Sequence, residues 1–323
     1  MPPPAPLAPL APIAIVGATA TGKSALGLAL AQEVFGGAGE IINADALQVY
    51  RGFDIGTAKP GPAERARVPH HLIDILDPAE RWSAGEFARR ARQAIGEIQA
   101  RGRTPIVVGG SGLYLRALFE GISPMPPGDP EVRGELRERL AREGLEPLAA
   151  ELAQADPETA ERLAPGDTQR VLRALEVVRA SGRTLSSWIS EQPFGTQRIA
   201  VLRLGLTLPR VLLYDRIAER VVRMVEEGWV EEVARLLARG LDPGLPAFQA
   251  IGYRQIVRHL NDEWSLDDAI ADTVKVTRRF AKRQETWFRR EPDVIWFSAQ
   301  DLDRRISHIL EHVKHSGLGR AYG

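Results

Sequence analysis

The chain has 323 residues, room for about two domains, and its 44% hydrophobic share is ordinary for a globular protein with a sizeable core. Lys plus Arg (42) equals Asp plus Glu (42), so no global attraction to nucleic acid exists and any such partner needs a local basic patch. The absence of cysteine excludes disulfides, thiol nucleophiles and cysteine-ligated zinc, and no apolar run approaches membrane-spanning length.

The start, Met1-Pro2-Pro3-Pro4-Ala5-Pro6, has no cationic lead and is broken by prolines. Residues 1–12 are therefore expected to be a disordered lead-in rather than a signal peptide, and the cytoplasm is the expected compartment. The apolar run Ile13–Val16 predicts a strand, and Ala25–Ala31 a helix. Between them stands Gly17-Ala18-Thr19-Ala20-Thr21-Gly22-Lys23-Ser24, the G-x-x-x-x-G-K-S pattern of a phosphate-binding loop. Glycines let backbone N–H groups converge, the helix start adds its positive dipole end, Lys23 supplies a mobile charge, and the Ser24 hydroxyl can reach a phosphate-bound Mg2+.

Glu40–Asn43 predicts a second buried strand, which puts Asp45 at a strand's carboxyl end, where open α/β sheets bind ligands; a helix N-cap is an equal reading for Asp45. Asp54–Pro60 is a turn-rich loop carrying Lys59. Leu72–Leu76 predicts a short strand, and His70-His71 before it are weak metal candidates. Ser83–Ala100 predicts a helix in which Ser83 and Glu86 form a capping box. Pro105–Val108 predicts a strand ending in Gly109-Gly110-Ser111-Gly112, a second glycine–hydroxyl corner that is either a tight turn or a wall for the phosphate loop.

After the stiff segment Pro124–Pro130, strand signals vanish until about Trp188. Val132, Leu136 and Leu140 recur at helical spacing, and a helix is predicted over 167–179 with Val171, Leu172, Leu175 and Val178 inward and Gln169, Arg170 and Arg173 on neighbouring faces. The sheet resumes at Ala200–Gly205. A helix over 209–227 carries Arg216, Arg220 and Arg223 as one stripe, either a diphosphate clamp or a solvated face. Leu245–Gln255 is expected to be a loop. Leu266–Arg290 is a long helix with Arg278, Arg279, Lys282, Arg283, Arg289 and Arg290 interleaved with Phe280, Trp287 and Phe288, the local basic patch that a neutral total requires. Val294–Phe297 predicts a last strand.

Taken together, the phosphate loop, Asn43–Tyr50, Asp54–Pro60, His70–Asp74, Gly109–Tyr114, Asp167–Arg170, Ala250–Gln255 and Arg279–Gln284 resemble, in order, the tRNA dimethylallyltransferases of bacterial type. The likeness covers almost the whole chain apart from its proline-rich start. It implies an α/β fold: a P-loop, kinase-like parallel sheet with flanking helices (13–122 with 198–323) and a smaller all-helical insertion (123–197) that contacts tRNA. It implies transfer of a dimethylallyl group from dimethylallyl diphosphate to N6 of the adenosine just 3′ of the anticodon, tRNA position 37, with Mg2+ as cofactor. The partners would be a tRNA anticodon stem-loop and the prenyl diphosphate, with no membrane, in a monomer.

By the same resemblance, Gly17–Ser24 would hold the diphosphate, with Thr19, Thr21, Lys23 and Ser24 gripping it. Arg220 would close on it from the far side, Asp45 would be the general base, and Ser24 would touch the metal. Ser111 stands where the family usually has threonine. Asp45, Ala46, Leu47, Gln48, Ser111, Arg133, Gln169, Arg170, Val171, Leu172, Arg173, Gln249, Ala250, Ile251, Gly252, Tyr253 and Arg254 would meet tRNA. A nucleoside or nucleotide kinase and a non-catalytic RNA-binding module share parts of this pattern. The arginine-rich last helix weighs against the first and Asp45 against the second.

Overall fold

Short apolar runs bounded by turns become the strands of one parallel sheet. The computed structural model describes residues 11–33 and 37–315, so the lead-in expected over 1–12 lies almost wholly outside the described residues. The chain runs β1 (Ile13–Gly17), α1 (Lys23–Glu33), β2 (Gly39–Asn43), α2 (Pro62–Arg67), β3 (His70–His71), α3 (Ala84–Ala100), β4 (Thr104–Val108) and α4 (Gly112–Glu120). Five helices follow: α5 (Pro130–Glu143), α6 (Glu146–Ala155), α7 (Pro157–Arg162), α8 (Thr168–Ser181) and α9 (Leu185–Glu191). Then come β5 (Leu202–Thr207), α10 (Arg210–Glu226), α11 (Trp229–Ala238), α12 (Tyr253–Leu260), α13 (Leu266–Phe288), β6 (Val294–Ser298) and α14 (Leu302–His315).

The strand order is β3-β2-β4-β1-β5-β6, with every pairing parallel. Parallel pairs need crossover connections, and strands covered on both faces read as continuous apolar runs; β1, β2 and β4 are buried at every position. β1 lies between β4 and β5, and its carboxyl end delivers the loop 17–22 to the crevice where the chain order reverses. The described chain divides into an α/β unit, residues up to 118 together with those from 200, and a helical unit, 119–199. The helical unit has its own core of Leu136, Leu148, Leu152, Val171, Ala174 and Leu175.

Several local expectations change. The strand expected over Leu72–Leu76 is confined to His70–His71, because Leu72 (φ 61°) and Asp74 (φ 56°) adopt left-handed conformations that end an extended run. Ser83 caps α3 by accepting from Glu86 N, but the Glu86 carboxylate binds Arg89 and Arg90 instead of returning to Ser83; charged partners one turn on outbid a backbone N–H. No helix begins at Asp45. In α8, Val177 rather than Val178 is fully buried. The loop expected over 245–255 ends at Gly252, where α12 starts with Gln255 Oε1 accepting from Gly252 N.

One wedge positions two of the loops around the site. The Trp229 indole, at the start of α11, sits where side chains at Gly56 and Gly252 would otherwise lie. Beside it, the Glu232 carboxylate accepts from Asp54 N (3.1 Å), Ile55 N (2.7 Å) and the Tyr253 hydroxyl (2.7 Å). Lys59, 3% exposed at its side chain, donates to Tyr50 O and to the carboxylates of Asp54 and Asp74, so it ties the loop down. Gly252 is at φ +91° with Trp229 ring atoms against its missing side chain. Gly252→Ala is expected to cost on the order of 2 kcal/mol or more. Gly96→Ala, in α3 with open space around it, should gain about 0.5–1 kcal/mol. Urea midpoints of the two variants should move in opposite directions, and an unchanged midpoint for Gly252→Ala would contradict the wedge.

Candidate active site

The phosphate loop has little conformational choice. Gly17 (φ +142°) passes so near β5 that a Cβ would lie 2.5 Å from Leu206 O, and Gly22 (φ +90°) leaves room for Leu302 of α14. Ala20 takes a left-handed conformation (φ 63°), a cost of about 1 kcal/mol that neighbouring bonds absorb. The Thr21 hydroxyl donates to Ala18 O (2.8 Å) and is 1% exposed. Thr21 thus shapes the loop; as a side chain gripping a ligand it is corrected by this burial.

A cavity of about 860 Å³ opens above the loop, lined there by Thr19, Ala20, Gly22, Lys23 and Ser24. Gly17, Ala18 and Thr21 lie beneath these, behind the lining. Asp45 and Gln48 form a second wall, Gly109 and Gly110 a third, and Arg216, Arg220 and Arg223 of α10 a fourth. The α10 stripe therefore faces the crevice. Lys23 Nζ donates to Ala18 O (2.6 Å), and Arg220 Nη1 lies 3.5 Å from Thr19 Oγ1. Among the described residues neither cation has an ion-pair partner.

Burial and the nearby Arg220 charge lower the Lys23 pKa from 10.5 to about 7, opposed by Asp45. Burial likewise lowers Arg220, with Asp45 opposing and Arg223 adding to the shift. Two cations so crowded, beside N–H groups at a helix start, make a socket for a multivalent anion. Asp45 is the carboxylate that both of them sense. It is fixed by Asn43 Oδ1 accepting from its N–H (3.0 Å) and by its own Oδ1 accepting from Leu47 N (2.9 Å). This is an Asx-type turn, which leaves Oδ2 without a hydrogen bond among the described residues.

A family model described as IPP transferase matches residues 48–291. The chain is 50% identical over 282 residues to the tRNA dimethylallyltransferase of Geobacter metallireducens, covering 87% of this chain and 90% of that one. The chain belongs to the IPP transferase family. Among solved structures it resembles the full-length tRNA isopentenylpyrophosphate transferase of Bacillus halodurans (TM-score 0.69, 38% identity, 97% of this chain and 98% of that one). It also resembles a eukaryotic dimethylallyltransferase caught acting on tRNA (TM-score 0.77, 29% identity, 94% and 77%).

Against the IPP transferase pattern, the remaining site residues divide. Gln48 lines the cavity and donates to Thr57 O and Ala58 O, while Leu47 packs partly into the core around Phe53. Ala46 is half-buried beside them. Ser111 immediately precedes α4, its carbonyl accepting from Tyr114 N and Leu115 N, and it follows the lining pair Gly109-Gly110 without lining the cavity itself. Gln249 and Arg254 are exposed, and Ala250 and Ile251 half-buried. Tyr253 is 0% exposed with its phenol on Glu232, which excludes an RNA contact by that side chain, and Gly252 is buried under Trp229.

In the helical unit, Gln169 and Arg170 are exposed, the latter paired with Asp167 (2.8 Å). Val171 is core and Leu172 packs partly against it. Arg133 and Arg173 both donate to the buried Glu176 carboxylate (2.8 and 3.0 Å), so they brace α5 and α8 as well as carrying charge. Glu176 and Glu232 carry no distinguishing signal in the sequence, since glutamates on helices read as solvated, yet both are buried.

Lys23 supplies a pH test. With its pKa near 7, it is mostly neutral at about pH 8 in the free protein, and an arriving polyanion restores its charge. Binding of inorganic diphosphate at about pH 8 should therefore take up close to one proton at Lys23, and affinity should fall as pH rises above about 7. Calorimetry in buffers of different ionisation heat should show this uptake in the wild type and lose it in Lys23→Met; equal uptake in both would contradict the assignment.

Proposed function

We propose that the chain transfers a dimethylallyl group from dimethylallyl diphosphate to N6 of adenosine 37 of tRNA. The observation that carries this reading is the placement of Asp45 in the same cavity as the phosphate loop and Arg220. A carboxylate beside a diphosphate socket suits alkylation of an amine, and each half of the site has a task in it.

The donor's C1–O bond breaks with its electron pair leaving on the diphosphate, and the C1–N6 bond forms. Charge thus builds on the leaving group, and loop N–H groups, Lys23 and Arg220 meet it inside a sheltered crevice. N6 of adenine is a poor nucleophile whose proton becomes acidic as the new bond forms; the Asp45 carboxylate takes that proton. A stacked base cannot reach the crevice, so adenosine 37 must be extruded from the anticodon loop, and exposed polar groups such as Gln169 and Arg254 suit contact with splayed RNA.

Mg2+ fits this socket. Ser24 presents an exposed hydroxyl at the first turn of α1, lining the cavity. Among the described residues no group of three or more His, Cys, Asp or Glu could hold a metal by itself. That donor set suits an ion carried by diphosphate oxygens and water with one hydroxyl ligand. When bound, Mg2+ neutralises charge on the leaving diphosphate.

Asp45→Asn should lower single-turnover transfer from labelled dimethylallyl diphosphate to an anticodon stem-loop by about 10²-fold or more. Its affinity for inorganic diphosphate should stay within about threefold. Arg220→Ala should instead weaken diphosphate binding about tenfold or more. If Asp45→Asn transfers at the wild-type rate, the base assignment is wrong. Gln169→Ala should raise the KM for stem-loop RNA while sparing the donor KM and the melting temperature. Arg173→Ala, which strips a partner from buried Glu176, should lower the melting temperature as well. Identical behaviour of this last pair would contradict their division.

A further inference from the structure

Gln284, near the end of α13, is 7% exposed and plays no part in the chemistry above. Its side chain spans two separate turns. Oε1 accepts from Thr19 N at 2.8 Å, and Nε2 donates to Gly110 O at 2.9 Å. Thr19 belongs to the loop after β1, and Gly110 to the turn after β4, the neighbouring strand. Gly110 has no room for a side chain because the Gln284 amide occupies that space.

A primary amide is the group that satisfies both ends at once: a carbonyl oxygen for an N–H and an N–H for a carbonyl. An ionised carboxylate would meet Thr19 but repel Gly110 O, and an apolar side chain would leave buried Gly110 O and part-buried Thr19 N without this partner. The consequence for the loop is specific. Thr19 N–H is committed to Gln284 and withheld from any ligand, while the Thr19 hydroxyl is held 3.5 Å from Arg220.

We propose that Gln284 is a positioning residue: it latches the phosphate loop to the β4–α4 turn, setting the Thr19–Arg220 side of the anion socket relative to the wall at Gly109-Gly110. This rests on the reading of the cavity as a diphosphate site. A residue that merely filled the core would be replaced by methionine without functional effect.

The test uses the full-length wild type with Q284M and Q284E, and reads Kd for inorganic diphosphate by calorimetry beside single-turnover prenyl transfer. Q284M should weaken diphosphate about tenfold at every pH, because buried Gly110 O and part-buried Thr19 N lose their partners and the loop loses its tie to the turn. Q284E should be weakened at least as much at about pH 8. It should recover relative to the wild type as pH falls towards about 5.5, since the protonated acid can accept from Thr19 N–H and donate to Gly110 O. Q284M, with nothing to protonate, should not recover.

Binding by Q284M within about twofold of the wild type, or a pH-independent ratio of Q284E to wild type, overturns the proposal. If Q284E does not fold, the Q284M ratio decides alone. A wild type that binds diphosphate yet transfers no prenyl group would fail the functional reading while leaving these ratios readable. Transfer and binding undiminished in Q284M would fail this inference alone.

Discussion

Two cations, Lys23 and Arg220, share a crevice in which neither has an ion-pair partner among the described residues, and the fold exists in a form that tolerates this. Burial first, and then the nearby Arg220 charge, bring Lys23 to about pKa 7. Such an arrangement is unfavourable for the free protein and favourable once a polyanion enters, so the cost is recovered on binding. The scaffold must hold both groups in place meanwhile. It does so with central strands: β1 is paired on both sides, Gly17 lies against Leu206 O of β5, and Leu302 of α14 closes over Gly22.

The second wall depends on a different device. Asp45 is aimed by an Asx-type turn and by Asn43, whose amide also donates to Leu72 O (3.1 Å). The loop beyond it is tied through Lys59 to Asp54 and Asp74, and through Glu232 to the same buried cluster that contains Tyr253 and Trp229. Buried charges serve here as clamps on irregular backbone. Each Glu232 oxygen meets donors that no regular secondary structure supplies, which is why a helix glutamate can be buried.

Much of this was legible in the sequence because it rests on local chemistry. The phosphate loop, its strand and helix, the α10 arginine stripe and the strand end at Asp45 follow from spacing alone. What was not legible depends on partners far along the chain. Tyr253 sits in a stretch whose turn-rich residues signal a loop, but Phe53, Trp229 and Glu232 draw it into the core and start a helix there. Thr21 has the same side chain as Thr19, yet only its backbone setting sends its hydroxyl to Ala18 O. Arg133 and Arg173 gain a structural task from Glu176, a buried carboxylate that helical spacing cannot distinguish from a solvated one. The helix α14 did leave a signal in Leu302, Ile306, Ile309, Leu310 and Val313, spaced for one buried face, which follows the last expected strand.

The account stands on the crevice receiving a prenyl diphosphate as donor and a purine amine as acceptor. The most direct measurement is incubation of the wild-type protein with unmodified tRNA, labelled dimethylallyl diphosphate and Mg2+, followed by nucleoside analysis of the digested RNA. The predicted result is label in N6-isopentenyladenosine at the position just 3′ of the anticodon, with one diphosphate released per group transferred. Unlabelled tRNA, together with ADP accumulating when ATP and nucleosides are supplied instead, would contradict it.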